Sequence, residues 1–101
     1  MRSVTESRGR RAMTEGDVVL VNKLGLHARP SAKVSQLASR FKAEVWLARG
    51  SRRINAKSIM GVMMLAAPQG TSLRVSAQGP DEEEAVAALC ALLASGFGEA
   101  L

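Results

Sequence analysis

The chain has 101 residues, 47% of them hydrophobic, and carries a formal net charge of +5. That length suits one domain with one core, and with Phe41, Trp46 and Phe97 as its only Phe, Trp or Tyr residues the core falls to Val, Leu, Ile, Met and Ala. Cys90 stands alone, which excludes an intramolecular disulfide and a thiolate metal site, and no apolar run reaches the roughly 18 residues of a membrane span.

The charge is unevenly spread. Arg2, Arg8, Arg10 and Arg11 against Glu6 and Glu15 leave residues 1–15 at +2 and the remainder at +3. So small and scattered a surplus does not imply nucleic acid. Residues 1–15 are rich in Ser, Arg, Gly and Glu without hydrophobic period, and are expected to form a disordered extension before a domain over 16–101. Met13, followed by Thr-Glu-Gly-Asp, reads as a second candidate start. The N-terminus lacks the continuous apolar stretch of a secretory signal, so a cytoplasmic location is expected.

Asp17 to Lys23 (D-V-V-L-V-N-K) is short and β-branched, which predicts a strand. From Ala28 to Phe41, the residues Val34, Leu37, Ala38 and Phe41 recur at i, i+3, i+4 and i+7, one face of a helix. Ala43 to Arg49 alternates, with Val45 and Leu47 on one side. Gly50-Ser51 then turns the chain into a short return strand, Arg52 to Ala56, with Ile54 inward.

Ser58 to Leu65 spells about two helical turns, too short to hide Ile59, Met60, Val62, Met63, Met64 and Leu65 together. Met64 is expected among those that face inward. Thr71 to Gln78 alternates again, Leu73, Val75 and Ala77 against polar neighbours. Asp81 with Glu84 three residues on predicts a capping box, and Glu82 and Glu83 suit the positive end of a helix dipole. Val86, Leu89, Leu93 and Phe97 mark the buried face of that last helix. The order βαββαβα, with one apolar face per strand, predicts an α+β open-faced β-sandwich: a four-stranded antiparallel sheet covered on one face by three helices.

His27, the only histidine, falls where the first strand ends and the first helix begins. Helix starts present unpaired N–H groups and a partial positive charge that bind anions such as phosphate. Pro30 fits the first turn, Arg29 adds a guanidinium suited to phosphate oxygens, and Gly25 allows a tight turn before it. The same positive field disfavours a further positive charge on the imidazole and leaves a ring nitrogen with the lone pair a nucleophile needs. A lone histidine at a helix start is also an ordinary cap or surface residue. With no second histidine, paired carboxylates or Gly-rich phosphate loop, a complete kinase or hydrolase site is absent.

L-G-L-H-A-R-P, followed in register by K-S-I-M-G-V-M-M-L, resembles the HPr family, the histidine-containing phosphocarriers of the bacterial phosphoenolpyruvate-dependent phosphotransferase system. The resemblance spans about residues 16–99 and implies a phosphoryl carrier, not an enzyme with its own turnover. It implies that His27 is phosphorylated on Nδ1 by phospho-enzyme I and passes the group to a histidine of an enzyme IIA domain. Arg29 matches the residue that contacts the phosphoryl group, and the backbone N–H groups of Ala28 and Arg29 are placed to help hold it.

Ile59, Met60 and Met63 match an exposed docking patch beside Ala32 and Lys33, although core packing is the alternative for each methionine. Ser58 matches the serine that HPr kinase/phosphorylase modifies in many bacteria, and is equally a good helix cap. The resemblance implies no cofactor, no metal, no nucleic acid and no membrane insertion, and a monomer. Leu24 stands where some members have a small polar cap, and Ala66 where a glycine is frequent, so the second helix is expected to end differently.

Two rivals lie close by: the nitrogen-related branch of the same relay, and an HPr-like regulatory module that carries no phosphate. A third, an RNA-binding sheet with the same element order, lacks the paired strand aromatics that stack bases, since only Trp46 falls on a predicted strand.

Overall fold

The structure is a computed structural model that describes residues 13–101. The first strand, β1, forms over Thr14–Val19, three residues before the expected start and four before the expected end. Thr14 and Glu15, assigned above to the disordered extension, are therefore strand residues, and residues 1–12 lie outside those described. Gly16 explains the early start. It sits under the last helix, where an added Cβ would meet Cys90 Sγ at 3.0 Å and Val86 at 3.1 Å. Burial there pushes the Cys90 thiol up from its ordinary value.

The strand ends at Val19 because the next residues find partners elsewhere. Leu20, fully buried, still exchanges backbone bonds with Thr71 and Gly70, but Lys23 N–H donates to Ala100 O at 2.8 Å, at the far end of the chain. The remaining elements are α1 (Ala28–Ala38), β2 (Glu44–Arg49), β3 (Arg52–Asn55), α2 (Ile59–Met64), β4 (Ser72–Gln78), α3 (Glu82–Ala94) and a 3₁₀ turn at Gly96–Gly98.

β1 pairs with β4, β4 with β2 and β2 with β3, all antiparallel, giving the order β1-β4-β2-β3. The three helices cover one face, as expected. Val45, Leu47, Leu73, Val75 and Ala77 from the sheet meet Val34, Ala38, Val62, Leu65, Val86, Leu89 and Leu93 from the helices, all at most 6% exposed. The other face is open, with Arg53 lying 4.5 Å over the Trp46 ring and Arg74 bonded to Asp17. No described helix is long and apolar enough to cross a membrane.

Three expectations change at helix ends. α1 stops at Ala38, and Arg40 and Phe41 continue in i→i+3 bonds, so Phe41 packs from a tightened last turn. Asp81 forms no capping box. Its carboxylate instead accepts the backbone N–H groups of Lys42 (2.9 Å) and Ala43 (2.8 Å), tying the start of α3 to the start of β2. Phe97 is buried as expected but not on α3: Gly96 (φ +73) and Phe97 (φ +61) enter the left-handed region and turn the tail back over the Asn22–His27 loop.

Candidate functional site

His27 is the N-cap of α1, in extended conformation (φ −84, ψ −167), and its side chain makes no capping bond. Its carbonyl takes the first helical bond from Ser31 N–H at 3.0 Å. The N–H groups of Ala28 and Arg29 precede that bond, so they have no partner within the helix and point outward from its start. Pro30 follows, buried, where no N–H is needed.

The loop before the helix is fixed by Gly25. Its φ of +68 places it against Ala67, where a Cβ would come within 2.3 Å of the carbonyl oxygen. Leu26 N–H donates to that same Ala67 oxygen at 2.9 Å, and His27 N–H to Gly25 O at 3.0 Å. The imidazole is therefore presented by a rigid turn and not by a free loop.

The sequence reading missed Glu99. Its Oε1 lies 3.1 Å from His27 Nε2 and accepts Asn22 Nδ2–H at 3.0 Å. The hydrogen bond with His27, then that with Asn22 and the charges of His27 and Lys33, hold the Glu99 carboxyl below its ordinary value against the opposing effect of partial burial. A carboxylate only accepts, so the shared hydrogen is on Nε2 and the lone pair of a neutral ring is on Nδ1. No local pattern flags Glu99, because 72 positions separate it from His27 and the left-handed turn at Gly96-Phe97 brings it back.

Around the ring lies an open cleft of ≈ 560 Å³ lined by Lys23, Leu24, His27, Arg29, Gly98, Glu99 and Ala100. Arg29 is exposed and makes no hydrogen bond or ion pair among the described residues, which leaves its guanidinium available to a ligand. Leu24, 73% exposed, forms an apolar rim, and no side chain caps the helix at its position. Among the described residues no three His, Cys, Asp or Glu side chains gather as metal ligands.

The second predicted cluster lies on α2, which packs beside α1; Ser35 Oγ donates to Lys57 O at 2.6 Å between them. Ile59 (43%), Met60 (67%) and Met63 (38%) are exposed, and Ala32 on α1 is half-buried. Met64 is also exposed, at 64%, against the expectation that it faces inward: Val62 and Leu65, three apart, already seat this six-residue helix. Lys33 has an additional task, since its Nζ donates to Phe97 O at 3.0 Å and anchors the tail. Ser58 is the N-cap of α2, its Oγ accepting Gly61 N–H at 3.0 Å while remaining exposed.

The far end of α2 is held by the β2–β3 hairpin, a second feature without sequence signal. Arg49 Nη1 donates to Leu65 O and Ala66 O, and Arg52 Nη1 to Met64 O at 2.8 Å. Ala66 itself sits at φ +50, so the helix closes in the left-handed form usual for a glycine, against the expectation that it ends differently.

Fold and site together define an open-faced α+β sandwich whose lone histidine stands at the N-cap of the first helix. The profile of the family described as "PTS HPr component phosphorylation site" matches residues 14–95. The chain is 54% identical over 87 residues to the phosphocarrier protein HPr of Cupriavidus necator, covering 86% of this chain and 98% of that one. It is 40% identical over 86 residues to the phosphocarrier protein NPr of Shewanella violacea, covering 85% and 94%. Among solved structures, HPr from Thermoanaerobacter tengcongensis superposes with a TM-score of 0.82 at 48% identity, covering 87% of this chain and 99% of that one. The chain belongs to the HPr family of phosphotransferase-system phosphocarriers.

Proposed function

We propose that His27 is the phosphoryl acceptor, loaded on Nδ1 by phospho-enzyme I and unloaded onto a histidine of an enzyme IIA domain. The observation that carries this is the Nε2–Glu99 hydrogen bond of 3.1 Å, which supports a lone pair on Nδ1 because a carboxylate only accepts. In the transfer, that lone pair attacks phosphorus while the donor's N–P bond breaks and its electron pair returns to the donor ring. The Nε2 hydrogen stays in place, and no proton need leave. The Ala28 and Arg29 N–H groups and the Arg29 guanidinium then hold the dianion beside a helix start. With the Nε2 hydrogen retained the phosphorylated ring is cationic, and the carboxylate of Glu99 offsets that charge.

The chain supplies the carrier and the partner supplies the remaining catalytic groups. Ile59, Met60 and Met63 with Ala32 form the docking surface, where methionine suits several partner shapes. Lys33 contributes mainly through its hold on the tail. Ser58 accepts a regulatory phosphate from HPr kinase/phosphorylase in hosts that have it; the dianion then occupies the start of α2 inside the docking surface and slows loading of His27. The protein acts as a cytoplasmic monomer.

The sugar branch is favoured over the nitrogen-related one by the higher identity to HPr (54%) than to NPr (40%). Incubation with phosphoenolpyruvate and enzyme I, followed by intact mass, tests the carrier reading. One acid-labile phosphate is expected, absent in His27→Ala. No gain with a competent enzyme I overturns it and favours the regulatory module. Faster loading by an enzyme I that carries a GAF sensor domain overturns the choice of branch.

A further inference from the structure

We propose that Asn22 is the positioning residue of this site, holding both the backbone and the ring of His27 through one amide. The proposal deepens the carrier reading, since it concerns which ring nitrogen is free. Asn22 is fully buried in the loop after β1. One Nδ2 hydrogen goes to Gly25 O at 2.9 Å, and the other to Glu99 Oε1 at 3.0 Å. Gly25 O also accepts His27 N–H, and Glu99 Oε1 also meets His27 Nε2 at 3.1 Å. The two arms of the amide thus converge on the two ends of one residue.

The other half of the amide shows that this is not ordinary packing. Asn22 Oδ1 is buried without a hydrogen-bond partner, the one side-chain atom in that state among the described residues. A buried carbonyl oxygen without a donor is costly, and an apolar side chain would avoid the cost. Flipping the amide would set Oδ1 against both Gly25 O and Glu99 Oε1, so the two acceptors fix its orientation. The loop keeps an unsatisfied oxygen in order to keep two N–H groups where they are. Without them the Glu99 carboxylate, on a tail that follows three left-handed residues, Gly96, Phe97 and Gly98, loses the neighbour that aims it at Nε2. The ring then exchanges its hydrogen between Nε2 and Nδ1, and a share of molecules carries its lone pair on Nε2 in place of Nδ1.

Long-range ¹H–¹⁵N NMR of the full chain, at a pH where the ring is neutral, reads this directly. Wild type is expected to show His27 in the Nε2–H form alone. Asn22→Ala and Glu99→Ala are each expected to show a measurable share of the Nδ1–H form, and the double variant no more than Glu99→Ala. Mixed tautomers in wild type, or wild-type ring shifts in a folded Asn22→Ala, overturn the proposal. Should Asn22→Ala not fold, Asn22→Asp, of the same shape but without the donors, takes its place and is expected to show the same mixture. Wild-type ring shifts in it, or failure of both variants to fold, assigns Asn22 a purely structural role. The readout needs no phosphate, so failure of the carrier reading leaves it standing and separately visible.

Discussion

Glu99 and His27 meet at 3.1 Å across 72 positions of chain, and that contact connects the tail after α3 to the imidazole at the start of α1. The Glu99 carboxyl is held below 4.5, its ordinary value, first by the bond to His27. A depressed acid contributes stability above its unfolded-state value and loses it as the pH falls through the folded one. The tail should therefore stay docked at neutral pH and release in acid. Amide exchange at Lys23, whose N–H donates to Ala100 O, is expected to lose protection as the pH drops below 4.5, after correction for intrinsic rates. Glu99→Gln should flatten that dependence; an unchanged profile contradicts it.

Asp81 predicts a second acid-sensitive joint, independent of the site. Its carboxyl is lowered from 3.8 chiefly by the Lys42 N–H, with Ala43 adding to it against a burial effect that raises it. The sign is the same: stabilising above 3.8, lost as the pH falls through the lower folded value. Asp81→Asn is expected to lower the thermal midpoint at pH 7, with the gap to wild type closing in strong acid. A constant gap at all pH values would mean that charge plays no part.

Two positive-φ positions predict opposite outcomes. Ala66 holds φ +50 on an exposed turn, so Ala66→Gly removes a left-handed penalty larger than the entropy glycine adds to the unfolded chain. A gain of roughly 0.5–1 kcal/mol in urea unfolding is expected. Gly25→Ala would force a Cβ to 2.3 Å from Ala67 O and should cost about 2 kcal/mol or more, with loss of His27 phosphorylation. Equal effects of the two substitutions contradict the backbone argument.

Met60, 67% exposed, tests the docking surface without disturbing the core. Met60→Glu is expected to leave stability within about 0.5 kcal/mol of wild type. Its rate of loading by phospho-enzyme I should fall at low protein concentration and recover at high, the mark of weaker binding. An unchanged rate removes Met60 from the surface.

Most of the fold was legible in the sequence because hydrophobic periods report on single elements. Alternation in Val45-Trp46-Leu47 and Leu73-Arg74-Val75, and the helical spacing of Val34 with Ala38, needed no tertiary information. What failed was long-range polar pairing. Asp81 and Glu84 matched a local capping pattern, yet Asp81 found two better donors 38 and 39 residues away. At the site, His27, Arg29 and Ser58 were carried by contiguous motifs. Asn22 and Glu99 were not, since their roles arise only when the Gly96-Phe97 turn returns the tail to the loop. Met64 illustrates a third limit: in a six-residue helix, Val62 and Leu65 exhaust the buried side, and periodicity over so short a span cannot rank the rest.

After loading with phosphoenolpyruvate and enzyme I, ³¹P–¹⁵N correlation NMR of the ¹⁵N-labelled protein identifies the nitrogen that bears phosphorus. A single coupling to His27 Nδ1 is expected, with the hydrogen retained on Nε2. Phosphorus on Nε2, or on any residue other than His27, contradicts it.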